Sequence, residues 1–417
     1  MSPWILGVAF VAVYLVNFLL NWPVSRWSDT STGSYLFTDF ETLFIWATEC
    51  RVNVGLPQLF SVYSQIEASE TCNGFTYGTT LIILLSILPI DLEFYVAVAL
   101  ALGVLSVFAL GFYLSTSYRM SFWQKVIVTV VFFSPGTYLL FERGNLDLQI
   151  LLLVLMAAAL FARGIYLPAY FVLLFATLLK FYTLPLVVLI SLLAKNVRDR
   201  ILSTVLTSLT LAWVIFDYSR GPILQVYGPL QFGYPVLDHY FEWLGISVQL
   251  LPSLIGFIAP WLVWALLVFF ERKAGNLYQA KLRKSLGALE ADYAFLFTAV
   301  AFCAMFFVGL NYDYRLVFLV VAGVALILKL EFSRGPKAAL WISLLIAVWG
   351  SGAFGGNFTF IPAAIKPFLI GGFQLSGDLA VFLWVGILMY FCSLVLGRRI
   401  AWFGKVLSFV TQSRNIT

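Results

Sequence analysis

The chain has 417 residues, of which 62% are hydrophobic and 11% charged, with a mean hydropathy of +0.95 and a net charge of +5. Soluble domains carry about 25% charged and 45–50% apolar residues, so most of this chain must have lipid as its solvent, and a soluble catalytic domain is excluded. On such a chain basic residues report topology, and no nucleic-acid partner is expected.

The expected class is all-α, a polytopic transmembrane helical bundle of about 12 spans. Apolar runs fall roughly at 4–22, 78–90, 92–114, 126–141, 149–162, 169–195, 201–218, 253–270, 293–311, 316–332, 339–354 and 379–396. The first run lacks a basic start and a small-residue cleavage site, and reads as a retained span. The run at 78–90 is short and ends at Pro89, just before Asp91 and Glu93, which suits a short in-membrane or interfacial helix. The run at 169–195 is interrupted by Lys180, Tyr182 and Pro185, and is expected to form two short helices meeting at a break on one face of the membrane.

Basic residues cluster at Arg119 and Lys125, at Lys195, Arg198 and Arg200, at Arg272, Lys273, Lys281, Arg283 and Lys284, at Arg334 and Lys337, and at Arg398, Arg399 and Lys405. With a cytoplasmic N-terminus and the two choices above, every cluster falls inside, as the positive-inside rule asks. The external side then holds segments 23–77, 142–148, 219–252 and 355–378, with short turns near Lys180 and at 312–315. The expectation is a multi-pass protein of the plasma (inner) membrane with any site among its external loops.

Ionisable residues at apolar segments are expensive and usually functional. On the external side they are Asp39 and Glu41 in the acidic first loop, Glu142, Arg143, Asn145 and Asp147 in one tight turn, Lys180 beside Tyr182, His239 in the loop at 219–252, and Asp313 with Arg315. Arg and Lys suit a phosphate, one as a fork and the other as a point charge, and a carboxylate can act as a general base. Blander readings stand beside these. Asp39 and Glu41 could cap a helix, Glu142 and Arg143 could snorkel, Asp313 and Arg315 could be solvated turn charges, and His239 an ordinary loop histidine. Lys180 alone interrupts a long apolar run with no flanking polar cluster.

One histidine and no clustered thiolates give no metal site. Asp39 and Glu41 would permit a divalent ion without requiring one, so no cofactor is expected. Cys50 and Cys72 in the first loop could form a disulfide if that loop faces an oxidising space, whereas Cys303 and Cys392 sit inside apolar runs.

The stretch Phe133-Ser134-Pro135-Gly136, then Glu142 to Asp147, then an apolar helix and Leu179-Lys180-Phe181-Tyr182-Thr183-Leu184-Pro185 resembles the polytopic GT-C glycosyltransferases. It is most similar to glycosyltransferase family 87, the polyprenol-phosphate-mannose-dependent mannosyltransferases. Asp39 after the first span and Tyr77-Gly78-Thr79 late in the loop match that layout, although Tyr-Pro-Pro is more usual at the latter. Four residues separate Lys180 from Pro185, more than is common.

The resemblance covers roughly residues 1–200, a GT-C-like catalytic module, with 201–417 adding further helices. It implies a lipid-linked sugar donor, a glycolipid or glycan acceptor and an external site. Asp39 would be the catalytic base, Arg143 and Lys180 would hold the donor phosphate, and Asn145 would orient the turn or bond the sugar. Glu41, Glu142, Asp147, Tyr182, His239, Asp313 and Arg315 are candidates from topology alone. A polysaccharide polymerase or ligase and a transporter or flippase of a lipid-linked or small anionic substrate are the competing readings.

Overall fold

The computed structural model describes residues 4–19, 95–194, 196–218, 231–232, 236–237, 241, 251–308, 311–312, 315–350 and 366–400. Over these residues the chain is helical apart from one short ladder. The helices are α1 (Trp4–Leu19), α2 (Tyr95–Ser117), α3 (Phe122–Phe132), α4 (Pro135–Arg143), α5 (Asp147–Ala162), α6 (Tyr166–Leu179) and α7 (Leu184–Leu193). They continue with α8 (Val197–Tyr218), α9 (Leu251–Lys273), α10 (Asn276–Glu290), α11 (Tyr293–Val308), α12 (Leu316–Lys329), α13 (Arg334–Trp349) and α14 (Lys366–Arg399). Among the described residues, three stretches are long and apolar enough to cross a membrane, Val96–Ser117, Leu251–Lys273 and Gly372–Arg399. A fourth is added if α10 and α11, which meet at 90°, count as one bent span. The protein is thus an α-helical membrane protein in its coarse character. The expected helix at 78–90 lies outside the described residues.

The packing gives every helix a direction. The Trp4 ring meets those of Phe108 and Phe112, and the Tyr14 ring packs on Phe141, so α1 and α2 are antiparallel and α1 runs toward α4. Their close approach depends on glycine, because a Cβ on Gly111 would come within 2.9 Å of the Gly7 Cα. The Phe161 and Tyr293 rings meet at 4.7 Å, which sets the end of α5 beside the start of α11. The Tyr390 hydroxyl donates to Glu271 at 2.8 Å, which sets the end of α14 beside the end of α9.

Two ends result. At one, Tyr118, Asp292 and Lys329 meet, with Tyr118 donating to Asp292 at 3.3 Å and Lys329 Nζ 3.9 Å from the same carboxylate. Arg398 with Glu290 and Lys284 with Glu331 lie here too. Every basic cluster whose residues are described follows to this end by the direction of its helix. Among the described residues, only Arg143, Lys180, Arg315 and Lys366 belong to the other end.

The expected break in 169–195 is present, and it is a hairpin. α6 ends at Lys180, whose extended backbone (φ −146°, ψ 114°) leads into a single 3-10 turn, Phe181–Thr183. Pro185 in the first turn of α7 lacks the N–H that a continuing helix would need. Tyr170 on α6 and Ser191 on α7 both bond the Thr207 hydroxyl on α8, at 3.3 and 3.0 Å. Residues about equally far from the break therefore share one partner, as antiparallel arms must. The run at 126–141 is broken as well, into α3 and α4, where Ser134 precedes Pro135.

Two expectations change. α14 begins at Lys366, so the later part of the expected external segment 355–378 is helix, because apolar residues at 367–375 extend the pattern of the run behind them. The basic stretch after α9 is also helical. α10 buries Leu282, Leu286 and Leu289 at helical spacing and turns its lysines and arginines outward, a pattern its high charge hid from a hydropathy reading.

Interhelical hydroxyl bonds in a bilayer contribute about 0.6–2 kcal/mol. Thr207→Val removes the shared partner of α6 and α7 and should lower stability by about 1 kcal/mol in detergent-mediated unfolding. An unchanged midpoint would show that the seam does not hold the hairpin.

Candidate functional site

The site is built by three breaks in the helices. α4 ends on Gly144, whose left-handed backbone (φ 61°, ψ 32°) turns the chain out. The Asn145 N–H then reaches back to the Leu140 carbonyl at 3.1 Å, closing a Schellman motif. The Asn145 side chain shapes the next step, its Oδ1 accepting from the Asp147 N–H at 3.1 Å. Asp147 thereby stands at the first position of α5, fully buried.

The second break is the hairpin tip. Thr183 donates to the Lys180 carbonyl at 3.1 Å, and its hydroxyl lies 2.9 Å from that of Thr177. These bonds occupy polar groups that the end of α6 would otherwise leave bare in a buried position. The tip delivers Lys180 and Tyr182 to Asp147. Lys180 Nζ lies 2.7 Å from Asp147 Oδ1 and donates to Asn145 Oδ1 at 2.9 Å. The Tyr182 hydroxyl donates to Asp147 Oδ1 at 2.6 Å.

The third break precedes α12. Arg315 stands at its N-cap and gives Nε to Asp147 Oδ2 at 3.1 Å. Its guanidinium also lies over the Tyr182 ring, 5.1 Å from the centroid. Just before it, Asn311–Tyr312 pairs antiparallel with Gln231–Phe232, which ties the segment after α8 to this end of the bundle.

One carboxylate therefore holds two cations and a phenol. The side chain of Asp147 is 0% exposed, that of Lys180 6% and that of Arg315 19%. Among the described residues, two cationic side chains thus meet one carboxylate. Arg315 is the most exposed of the three and so the nearest to the outside. The arrangement is chemically suited to receive a phosphate against the Lys180 and Arg315 edge. Asp147 cannot serve as the base, since both its oxygens are committed and no part of it reaches solvent. Its work is to position the cations.

The structure thus brings together five of the residues singled out from sequence: Asn145, Asp147, Lys180, Tyr182 and Arg315. Arg143 and Glu142 occupy the last turn of α4, two and three residues before Asn145. Asp39, Glu41, His239, Asp313 and the Cys50 and Cys72 pair lie outside the described residues. Cys303 and Cys392 are free thiols within the bundle. Among the described residues, no three His, Cys, Asp or Glu side chains gather as metal ligands. In the sequence Asp147 is one polar residue among several in a short turn. Its place as the hub comes from partners 33 residues ahead and 168 residues ahead, a distance no local pattern reports.

No family model, curated protein or solved structure matches the chain.

Removing one member of a buried ion group leaves the others uncompensated, typically at about 3–5 kcal/mol. Asp147→Asn should therefore destabilise the protein by about 3 kcal/mol or more, and Asp147→Asn combined with Lys180→Met should recover part of that loss. Additive losses in thermal unfolding would show that the two residues are not coupled.

Proposed function

We propose that the protein is a membrane glycosyltransferase of GT-C type, with about twelve spans, that moves a sugar from a polyprenyl-phosphate donor to an acceptor hydroxyl at the external face. The observation that carries this reading is the Lys180–Asp147–Arg315 cluster, two cations held on one buried carboxylate at the end of the bundle opposite the basic clusters. By the positive-inside rule, the basic end is the cytoplasmic one. A lipid phosphate enters such a site from the bilayer edge, and its charge grows as it leaves the anomeric carbon. Fixed cations in a dry site act most strongly at that moment.

In this scheme Lys180 and Arg315 hold the phosphate and stabilise it as leaving group. Asn145 and Tyr182 orient the two cations through Lys180 Nζ and the Asp147 carboxylate. Asp39 takes the acceptor proton as the acceptor oxygen attacks and inverts the anomeric centre, a role that rests on the resemblance to glycosyltransferase family 87. Arg143 is a second phosphate contact on the same ground. Mannose is the sugar that the resemblance implies, and the acceptor is a glycolipid or glycan.

One observation favours a transporter instead. Lys180 lies at the tip of a discontinuous helix pair, and broken helices carry the substrate sites of many transporters. Those sites lie near the bilayer midplane, however, whereas this cluster joins the starts of α5 and α12 to the end of α6, at one end of the bundle.

The deciding experiment is transfer of radiolabelled mannose from synthetic polyprenyl-phosphate-mannose to a membrane lipid extract by the purified protein, with glucose and arabinose donors in parallel. Wild-type protein should form labelled product. Lys180→Met should lose about a hundredfold in kcat/KM for the donor, the magnitude seen when one preorganised charge-stabilising donor is removed. Asp39→Asn should abolish turnover while leaving donor affinity in place. Inertness of all three donors would remove the transferase reading.

A further inference from the structure

A cavity of about 20 Å³ opens beside the ion cluster, between α1, α2 and the start of α5. That is room for one group the size of a water molecule. Its polar side chains are Tyr14, Asn145 and Gln149, and the rest of its wall is apolar, including Leu102, Gly103 and Phe141. Gln149 gives its Nε2 to Ser106 Oγ at 3.4 Å, and its Oε1 is buried and accepts no hydrogen bond among the described residues. A buried acceptor left without a donor is unfavourable, and such an atom calls for an explanation. Gly103 keeps the space in its present shape, because a Cβ there would lie 2.2 Å from the Tyr14 hydroxyl oxygen. Asn145 is common to both features: it lines the cavity and accepts from Lys180 Nζ at 2.9 Å.

We propose that this cavity seats one hydroxyl group of the sugar that the lipid phosphate carries, with Gln149 Oε1 accepting its hydrogen bond. The proposal rests on the donor reading above and assigns that site a residue for sugar recognition. A hydroxyl both donates and accepts, and the cavity offers an acceptor in Gln149 and a donor in the Tyr14 phenol. The donor sugar is the occupant because its phosphate would lie on Lys180, the residue that Asn145 joins to the cavity. A sugar lacking that hydroxyl would leave Gln149 Oε1 without a partner, so the cavity selects for it.

The test is a set of dissociation constants, measured by tryptophan fluorescence with the full-length protein in nanodiscs. The ligands are synthetic polyprenyl phosphate, its mannose, glucose and arabinose adducts, and the monodeoxy analogues of the tightest adduct. Wild type and Gln149→Leu should bind bare polyprenyl phosphate alike, which also shows that the variant is folded. The tightest sugar adduct should bind Gln149→Leu about tenfold more weakly than wild type, the effect of one lost hydrogen bond. One monodeoxy analogue should show the same tenfold loss in wild type and no further loss in the variant. If Gln149→Leu also loses bare polyprenyl phosphate, Gly103→Ala decides instead, since its methyl group would displace the Tyr14 hydroxyl that lines the cavity and should weaken the sugar adduct alone.

Equal affinity of wild type and variant for the sugar adduct, with polyprenyl phosphate bound by both, would overturn the assignment and leave the donor reading standing. No binding of polyprenyl phosphate by wild type would overturn the donor reading and this proposal with it.

Discussion

A carboxylate cannot stand alone inside an apolar bundle, and the Asp147 end of this protein is arranged around that constraint. Burial of an isolated ionised group is prohibitive, so Asp147 must be met by charge and hydrogen bonds. Lys180 and Tyr182 meet it from the hairpin tip and Arg315 from the break before α12. The dependence is mutual. Without Asp147 the two cations would repel one another in a medium that screens them poorly. The Gly144 turn, the Lys180 hairpin and the start of α12 are therefore locked together by one residue, and a change in any of them is felt by the others.

The same logic explains why the two ends of the bundle differ. At the basic end most charges lie on exposed or half-buried surfaces and some pair loosely, as with Lys284 and Glu331, whose side chains are 72% and 49% exposed. Such pairs contribute little to stability. At the other end Asp147 and Lys180 are buried and Arg315 nearly so, and the three converge. Stability alone gives no reason to bury three ionisable groups, since apolar residues of similar volume would usually serve as well or better. The proposed phosphate-binding role would supply the reason, because a cation pair held rigid in advance needs no reorganisation when charge develops on a leaving group.

Much of the frame was legible in the sequence because lipid imposes simple rules. Apolar length marks helices, basic residues mark one end, and Lys180 with Pro185 marks a break, because a charge and a missing N–H are both poorly tolerated in mid-helix. Where those rules fall silent, the reading fell short. α10 was missed because its apolar stripe is narrow and its charge high. The start of α14 at Lys366 was missed because glycines and polar residues interrupt the pattern there. The identity of the hub was hidden for another reason. Asp147 and Arg315 each sit in a short polar turn, where solvated charge is ordinary, and nothing in either turn tells that the two meet. Gln149 and Tyr14 carried no signal either, since a glutamine at the start of an apolar helix and a tyrosine within one are common.

The central claim is that Lys180 and Arg315, held by Asp147, form the seat of a lipid phosphate. It is tested most directly by the dipolar coupling between ¹⁵N-labelled lysine side chains and the phosphorus of bound polyprenyl phosphate, measured by solid-state NMR in bilayers. A charge-assisted contact at Lys180 would place nitrogen and phosphorus about 4 Å apart and give clear dephasing of one lysine resonance, lost in Lys180→Met. Bound lipid phosphate with no such dephasing, or with dephasing that survives Lys180→Met, would contradict the account and reduce the cluster to a structural clasp.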